Sequence, residues 1–493
     1  MSERFDVIVV GSGAGGGVVA GELAERGRKV LLLEAGPHRT AADFTRWEAH
    51  ANADMWFPLR MAPINGGQDG VVAMFGGRCV GGTTTINTKV ALRAHEMDHR
   101  KWQEASGCSI GVDDLAPYYE RVETALGVRE RSDWTHTVHT LRKGFQAVGA
   151  DLEPVQSYTD ENCMKCGSCL QGCPTNAGKS TQNTYIHRAW ARGKLELRAE
   201  SPVERVVIED RGDGLEATGV EYRDASGELQ RADAGAVIVA AGTLNTPQVL
   251  LRSGIRELAN GSPSSQLVGR HLGFHPCRLV YGLFDERQDA HMVYPISSHC
   301  MKFQTDEEGG FIVEAATVQD PIGFGVSLTD ETGPLWGKPL VDAVRQYRYW
   351  TGVLMMVNDE NNGTVGVTED GGEAFTADFQ PTEFERLERA LDFSKDVLNA
   401  AGAKQIAWTG IVSTHVQGSC RMGSDPQRSV VNENAESHDV KRLFVGDGAV
   451  VPRTLSVNPS MTIMALATRL ADHIDADPNG YLESRAAGVA AGV

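Results

Sequence analysis

At 493 residues the chain exceeds what one hydrophobic core usually organises, and 41% hydrophobic with 23% charged residues describes folded domains, which excludes a disordered or fibrous protein. Its 65 acidic against 47 basic residues leave a formal charge of −18, excluding nucleic acid or an anionic membrane as main partner. No stretch approaches the roughly 18 apolar residues that span a bilayer, and Val7–Val10 is too short for a signal-peptide core, so a cytoplasmic protein without a membrane span is expected.

Asp6–Val10 reads as a buried strand, Gly11-Ser12-Gly13-Ala14-Gly15-Gly16 as a GxGxxG turn, Val18–Arg26 as a helix and Lys29–Glu34 as a second apolar strand. That order is a dinucleotide-binding opening. Gly11, Gly13, Ala14 and Gly16 let backbone approach a pyrophosphate where free N–H groups and the helix dipole favour an anion. Glu34, followed by Ala35, is placed about twenty residues on to accept hydrogen bonds from an adenosine ribose. The motif alone does not choose between FAD and NAD.

Asp98–Val128 reads as largely helical, and nine cysteines follow an uneven distribution, four of them within one short run. Cys163, Cys166, Cys169 and Cys173-Pro174 have the C-x₂-C-x₂-C-x₃-C-P spacing of bacterial ferredoxins. Four thiolates there suit an iron–sulfur cluster; tetrahedral zinc is the nearest competitor, and structural or disulfide-bonded cysteines are the third reading. In two-cluster ferredoxins the fourth cysteine binds the other cluster, and no second run exists here. Further on, Val203–Val239 has the alternation and glycine turns of a β-meander. Gln380–Ala401 and Ser460–Ile474 read as helices, the second beginning just after Pro459, where a missing N–H is harmless.

Two segments single out the cofactor. Gly76-Gly77-Arg78-Cys79-Val80-Gly81-Gly82-Thr83-Thr84-Thr85-Ile86-Asn87 and Ala236–Pro247 resemble the two signatures of the glucose–methanol–choline (GMC) oxidoreductases, and the likeness runs from Phe5 to about Ile474. The resemblance implies an α/β fold: a Rossmann-like FAD-binding domain of the GMC/p-hydroxybenzoate hydroxylase type, interleaved with an α+β substrate domain on an antiparallel sheet. Residues 1–94, 200–270 and 430–476 would form the first, and 95–199 and 271–429, with the cysteine-rich loop 163–174, the second. Residues 477–493 would be a tail, mobile from Ser484 on.

By the same resemblance, Gly77, Arg78, Gly81, Gly82, Thr83, Thr84 and Asn87 wrap the flavin, and Val203, Ala241 and Gly242 return the chain to the dinucleotide. Asp447 and Gly448 lie beside the ribityl chain, with Asn458, Pro459 and Met461 at the ring. Members that tether FAD often do so through a histidine in the first signature; residues 83–85 are all threonine, so a noncovalent FAD is expected. His415 matches the catalytic base and Asn458 the residue that holds the substrate oxygen. The implied reaction is hydride transfer from an alcohol carbon to the flavin as the hydroxyl proton leaves, with a dehydrogenase favoured over an oxidase. The substrate would be a sugar hydroxyl or a less polar primary or secondary alcohol, and the acceptor a carrier protein, a quinone or O₂. The alternatives are an alcohol oxidase using O₂ or a lyase that binds FAD without its redox chemistry, like the family's hydroxynitrile lyases.

Overall fold

The computed structural model describes residues 3–316, 321–326 and 328–482; the tail from Ser484 to Val493 lies outside the described residues. The first sheet contains β1 (Glu3–Val10), β2 (Val30–Leu33), β3 (Leu195–Arg198), β4 (Val203–Asp210), β5 (Leu215–Arg223) and β6 (Leu229–Val239). β3, β2, β1, β6 and the late segment Leu443–Val445 lie side by side and parallel. Their apolar runs, such as Val7-Ile8-Val9-Val10 and Val30–Leu33, are buried along their length, as strands covered on both faces must be. β4, β5 and β6 form the antiparallel meander read from the sequence. Helix α1 (Gly16–Glu25) packs on this sheet. Helices α2 (Glu96–Ser106) and α3 (Val112–Leu126) lend Trp102, Leu115 and Tyr119 to the same core. Their single predicted stretch is broken at Gly107, which takes the left-handed conformation (φ 72°) and caps the first helix.

The second sheet is antiparallel. It is built on β7 (Cys277–Leu283), β8 (Ile296–Cys300), β9 (Phe311–Ala316), β10 (Trp350–Val357) and β11 (Gln405–Trp408), in the order β11-β7-β10-β9-β8. Period-two alternation gives its faces different tasks. Val280, Val313, Val353 and Met355 share a core with helix α4 (His136–Ala147) and helix α5 (Pro381–Ala400). The opposite face carries Cys277, Ile312, Glu314, Leu354 and Met356, with Glu314 opposite Leu354 on β10 and His299 on β8.

The sheets divide the chain differently from the sequence at three places. β3 lies inside the stretch assigned to the substrate domain yet completes the flavin-side sheet, and α2 with α3 join the flavin-side core. Conversely, Arg60–Pro63 and Val71–Met74 join the second sheet through Val412–Ser413. Such short excursions carry no periodicity that ties them to either core. Among the described residues no helix is long and apolar enough to cross a membrane.

Candidate active site

The parallel strands end in a set of loops stitched to one another. At the start of α1, a Cβ on Gly16 would lie 2.0 Å from the Gly11 carbonyl oxygen, so only glycine lets the helix seat on the turn. Ser12 is the hub. Its N–H and Oγ donate to Glu34 Oε2 at 3.0 and 2.6 Å, and Gly36 N–H donates to Oε1 at 2.9 Å. Burial raises the Glu34 pKa, and these hydrogen bonds oppose the shift. The residue expected at a ribose therefore also braces the glycine turn.

The loop of the first signature crosses directly over that turn. Gly82 (φ 51°) approaches so closely that a Cβ there would stand 2.8 Å from Gly13 Cα. Gly81 N–H donates to Ser12 Oγ at 2.9 Å, Thr84 Oγ1 to Gly81 O at 2.6 Å, and Gly77 N–H to Thr83 Oγ1 at 2.9 Å. Thr181, in the Lys-Ser-Thr stretch after the cysteines, donates from Oγ1 to Ser12 O at 2.9 Å and from its N–H to Thr84 Oγ1 at 3.1 Å. Asn87 donates to the Tyr158 hydroxyl at 2.6 Å, while Arg78 is exposed with its charge near Glu34.

Asp447 closes the cradle from the late strand. It is buried, and it accepts from Gly242 N–H (2.8 Å), Thr246 Oγ1 (2.5 Å) and Ala449 N–H (2.8 Å). Burial raises its pKa, against the pull of these three donors. Ala241 N–H is held by Thr246 Oγ1, Gly448 is buried in the following turn, and Val203 opens β4 opposite Tyr222. Gly13 and Gly242 face open space, with nothing within 4 Å of where a Cβ would lie. Free backbone at the carboxyl ends of parallel strands, flanked by Glu34, Ala14, Ala35 and Asp447, fits a dinucleotide such as FAD.

The predicted catalytic residues stand where the second sheet meets this cradle. His415 follows the short strand Val412–Ser413, which pairs with β7 at Cys277. Its Nδ1 lies 3.3 Å from Nδ1 of His275. His275 has φ 48°, and its neighbour Phe274 is tied down by Asp359 Oδ2, which accepts from its N–H at 2.8 Å. Burial lowers both imidazole pKa values, His415 to about 4, so both rings are neutral at neutral pH. One Nδ1 must then donate to the other; with His415 as donor, its Nε2 keeps a free lone pair.

Asn458 lies in the loop before helix α6 (Ser460–Ala476), with Pro459 at the N-cap and Met461 buried in the first core. That loop is clamped from several sides. Asp98 accepts from Ser456 N–H and Oγ at 2.9 and 3.0 Å, Gln304 Nε2 donates to Ser456 Oγ at 3.0 Å, and Asn361 Oδ1 accepts from Thr454 N–H at 2.9 Å. Leu455 N–H donates to Gln417 Oε1 at 3.3 Å, so the segments carrying Asn458 and His415 run side by side. The Asn458 Oδ1 is buried without a partner. Nearby on β9, Glu314 is fully buried; burial raises its pKa to about 8, which the Asn458 amide only partly offsets, and neither carboxyl oxygen makes a hydrogen bond of good geometry. Glu314 carries no sequence signal beyond an acidic residue inside an apolar strand. Asp98, Gln304 and Asn361 carry none at all.

Cys163, Cys166, Cys169 and Cys173 line one narrow recess with Tyr294 and Pro295, and no disulfide joins any of them. Among the described residues, no three His, Cys, Asp or Glu side chains are grouped as a metal ion requires. Cys173 Sγ accepts from Gly178 N–H at 3.2 Å, and the buried Lys89, whose ammonium donates to Thr84 O in the flavin loop, lies beside Cys169 and Cys173. The spacing thus gathers the cysteines without converging them.

Models of the N- and C-terminal domains of the GMC oxidoreductases match residues 5–277 and 355–467. The chain is 27% identical to the long-chain-alcohol oxidase FAO4B of Arabidopsis thaliana, over 94% of this chain and 66% of that protein, so it spans about two thirds of that relative's length. It is 27% identical to the 2-methyl-1,2-propanediol dehydrogenase of Mycolicibacterium austroafricanum, over 96% of this chain and 95% of that one. Pyridoxine 4-oxidase from Mesorbium loti superposes with a TM-score of 0.73 at 18% identity, covering 96% of this chain and 99% of that chain, a likeness of fold.

Proposed function

The chain belongs to the GMC oxidoreductase family, and from that premise we propose that it binds FAD noncovalently and oxidises a largely apolar primary or secondary alcohol to the carbonyl. The observation that carries the reading is the neutral, half-buried His415 beside His275, running parallel to a loop that holds Asn458 with an unpartnered amide oxygen. When bound, FAD supplies the two-electron acceptor for the hydride. The remaining work falls to the side chains. His415 Nε2 takes the hydroxyl proton, His275 fixes the ring's tautomer, and Asn458 donates an amide hydrogen to the oxygen as negative charge grows on it. Asn458 cannot act as the base.

The apolar preference is supported by the packing beside these residues, where Ile312, Leu354, Met356 and Cys277 form a buried cluster with Met301 and Val412. The relatives' named activities, on long-chain alcohols and on a branched diol, point the same way. Anaerobic titration of the holoprotein with aliphatic alcohols and with sugars tests this: the alcohols should bleach the flavin bands. Bleaching by sugars alone would overturn the substrate assignment, and turnover of a cyanohydrin with the flavin left oxidised would replace it with the lyase.

A further inference from the structure

Glu314 is a buried carboxyl on the substrate side of the second sheet that the proposed chemistry leaves unused. It sits in mid-strand on β9, fully buried, with Leu354 across from it on β10 and His299 on β8. Both its oxygens lack a well-formed hydrogen bond, as does Asn458 Oδ1 close by. Leaving a buried polar group unpaired costs about 1–3 kcal/mol. The Asn458 side chain reaches Glu314 through its amide, and three such atoms on two neighbouring side chains call for a common explanation.

A protonated carboxyl provides it. An asparagine amide can turn about its last torsion, exchanging its oxygen for its NH₂. A neutral Glu314 offers a hydrogen to Asn458 Oδ1; an ionised Glu314 instead takes one from Nδ2. In the first state the NH₂ faces away from Glu314, and in the second the oxygen does.

We propose that Glu314 is a positioning residue: as the neutral acid it donates to Asn458 Oδ1 and thereby presents the Asn458 NH₂ to the alcohol oxygen. Ionisation of Glu314 reverses the amide, so that an acceptor, not a donor, meets the oxygen on which charge develops. This rests on the assignment of Asn458 to the substrate oxygen. The groups facing Glu314 leave the switch to it. His299 on β8 is held neutral by burial, the Cys277 thiol on β7 is pushed up by burial, β10 presents only Leu354 and Met356, and the α6 side presents Asn458. His415 and His275, beyond Cys277, are also neutral.

The test is the pH dependence of anaerobic flavin bleaching by a good alcohol substrate. In the wild-type holoenzyme the rate should fall on the alkaline side with a midpoint near 8, the value to which burial raises the Glu314 carboxyl. Glu314→Gln, whose amide donates at every pH, should run several-fold slower at neutral pH and lose the alkaline fall. Glu314→Leu should be slowed by about 10²-fold with FAD still bound, the scale of a lost oxyanion donor. Persistence of the same alkaline limb in Glu314→Gln overturns the proposal. Should the variants fail to fold, infrared difference spectroscopy of the wild type decides: the band of a protonated carboxyl must disappear across the same midpoint, and a band already absent at neutral pH overturns the idea. If no alcohol bleaches the wild type, the proposed function fails, while the infrared measurement still reports on Glu314.

Discussion

The cradle that fits a dinucleotide and the face proposed to meet the substrate are both buried, yet their polar groups are treated in opposite ways. In the cradle the key acceptors are satisfied within the protein: Glu34 by Ser12 and Gly36, Asp447 by Gly242, Thr246 and Ala449. On the substrate side His275 Nε2, His299 Nδ1, Asn458 Oδ1 and both Glu314 oxygens stand without partners. A scaffold that must hold one cofactor in one pose gains from closed hydrogen bonding. A site that must meet charge as it develops keeps its polar atoms uncommitted and aimed, at a cost in stability.

The sharpest way to break this contrast is to open the cradle. Asp447→Ala leaves the Gly242 and Ala449 N–H groups and the Thr246 hydroxyl buried and unpaired, about 1–3 kcal/mol each. The variant should purify without flavin and melt well below wild type, as the ratio of flavin to protein absorbance and a thermal scan will show. A normally loaded variant would mean that Asp447 is a turn residue only. On the substrate side the same kind of deletion should spare binding. His415→Ala is expected to keep FAD and slow anaerobic bleaching by about 10²- to 10⁴-fold. Near-wild-type bleaching would take His415 out of the role of base.

A milder change sharpens the contrast through pH. Because burial lowers the His415 pKa to about 4, the ring stays unprotonated, and able to accept a proton, down to that pH. Alcohol turnover measured as kcat/KM should therefore be flat through the mildly acid range and fall only as pH drops through about 4, where His415 gains its proton. An acid limb near the ordinary histidine value would show that bound substrate or cofactor restores a polar environment around the ring.

The cradle was legible in the sequence and the substrate side only in outline, for a physical reason. A backbone that must approach a pyrophosphate needs glycine at fixed offsets after a strand, so Gly11, Gly13, Gly16 and Gly82 advertise their role locally. His415 and Asn458 were readable because they sit in family motifs. The 3.3 Å approach of His275 to His415 is a tertiary fact that no local spacing announces. Glu314, Asp98 and Asn361 act through contacts made across the fold, and an acidic residue in an apolar strand has no spacing to give it away. The excursion of β3 into the flavin-side sheet was hidden similarly, since four residues carry no period long enough to assign a partner.

The smallest effect is expected at the cysteine recess, where spacing and placement disagree. The spacing fits an iron–sulfur loop, but that loop in ferredoxins lends its fourth cysteine to another cluster, and here the four thiols share a recess without any three grouped for a metal ion. Cys173 is engaged by Gly178 N–H, and the neighbouring Lys89 is already committed to the flavin loop. Protein purified without oxygen should hence contain little iron or acid-labile sulfide, and Cys166→Ser should leave alcohol-driven bleaching nearly unchanged. In that case oxygen or a soluble quinone is the acceptor to assay first. Iron and sulfide in stoichiometric amounts, lost in Cys166→Ser, would instead mean that the loop closes around a cluster and that electrons leave the flavin through the recess beneath Lys89 toward a carrier.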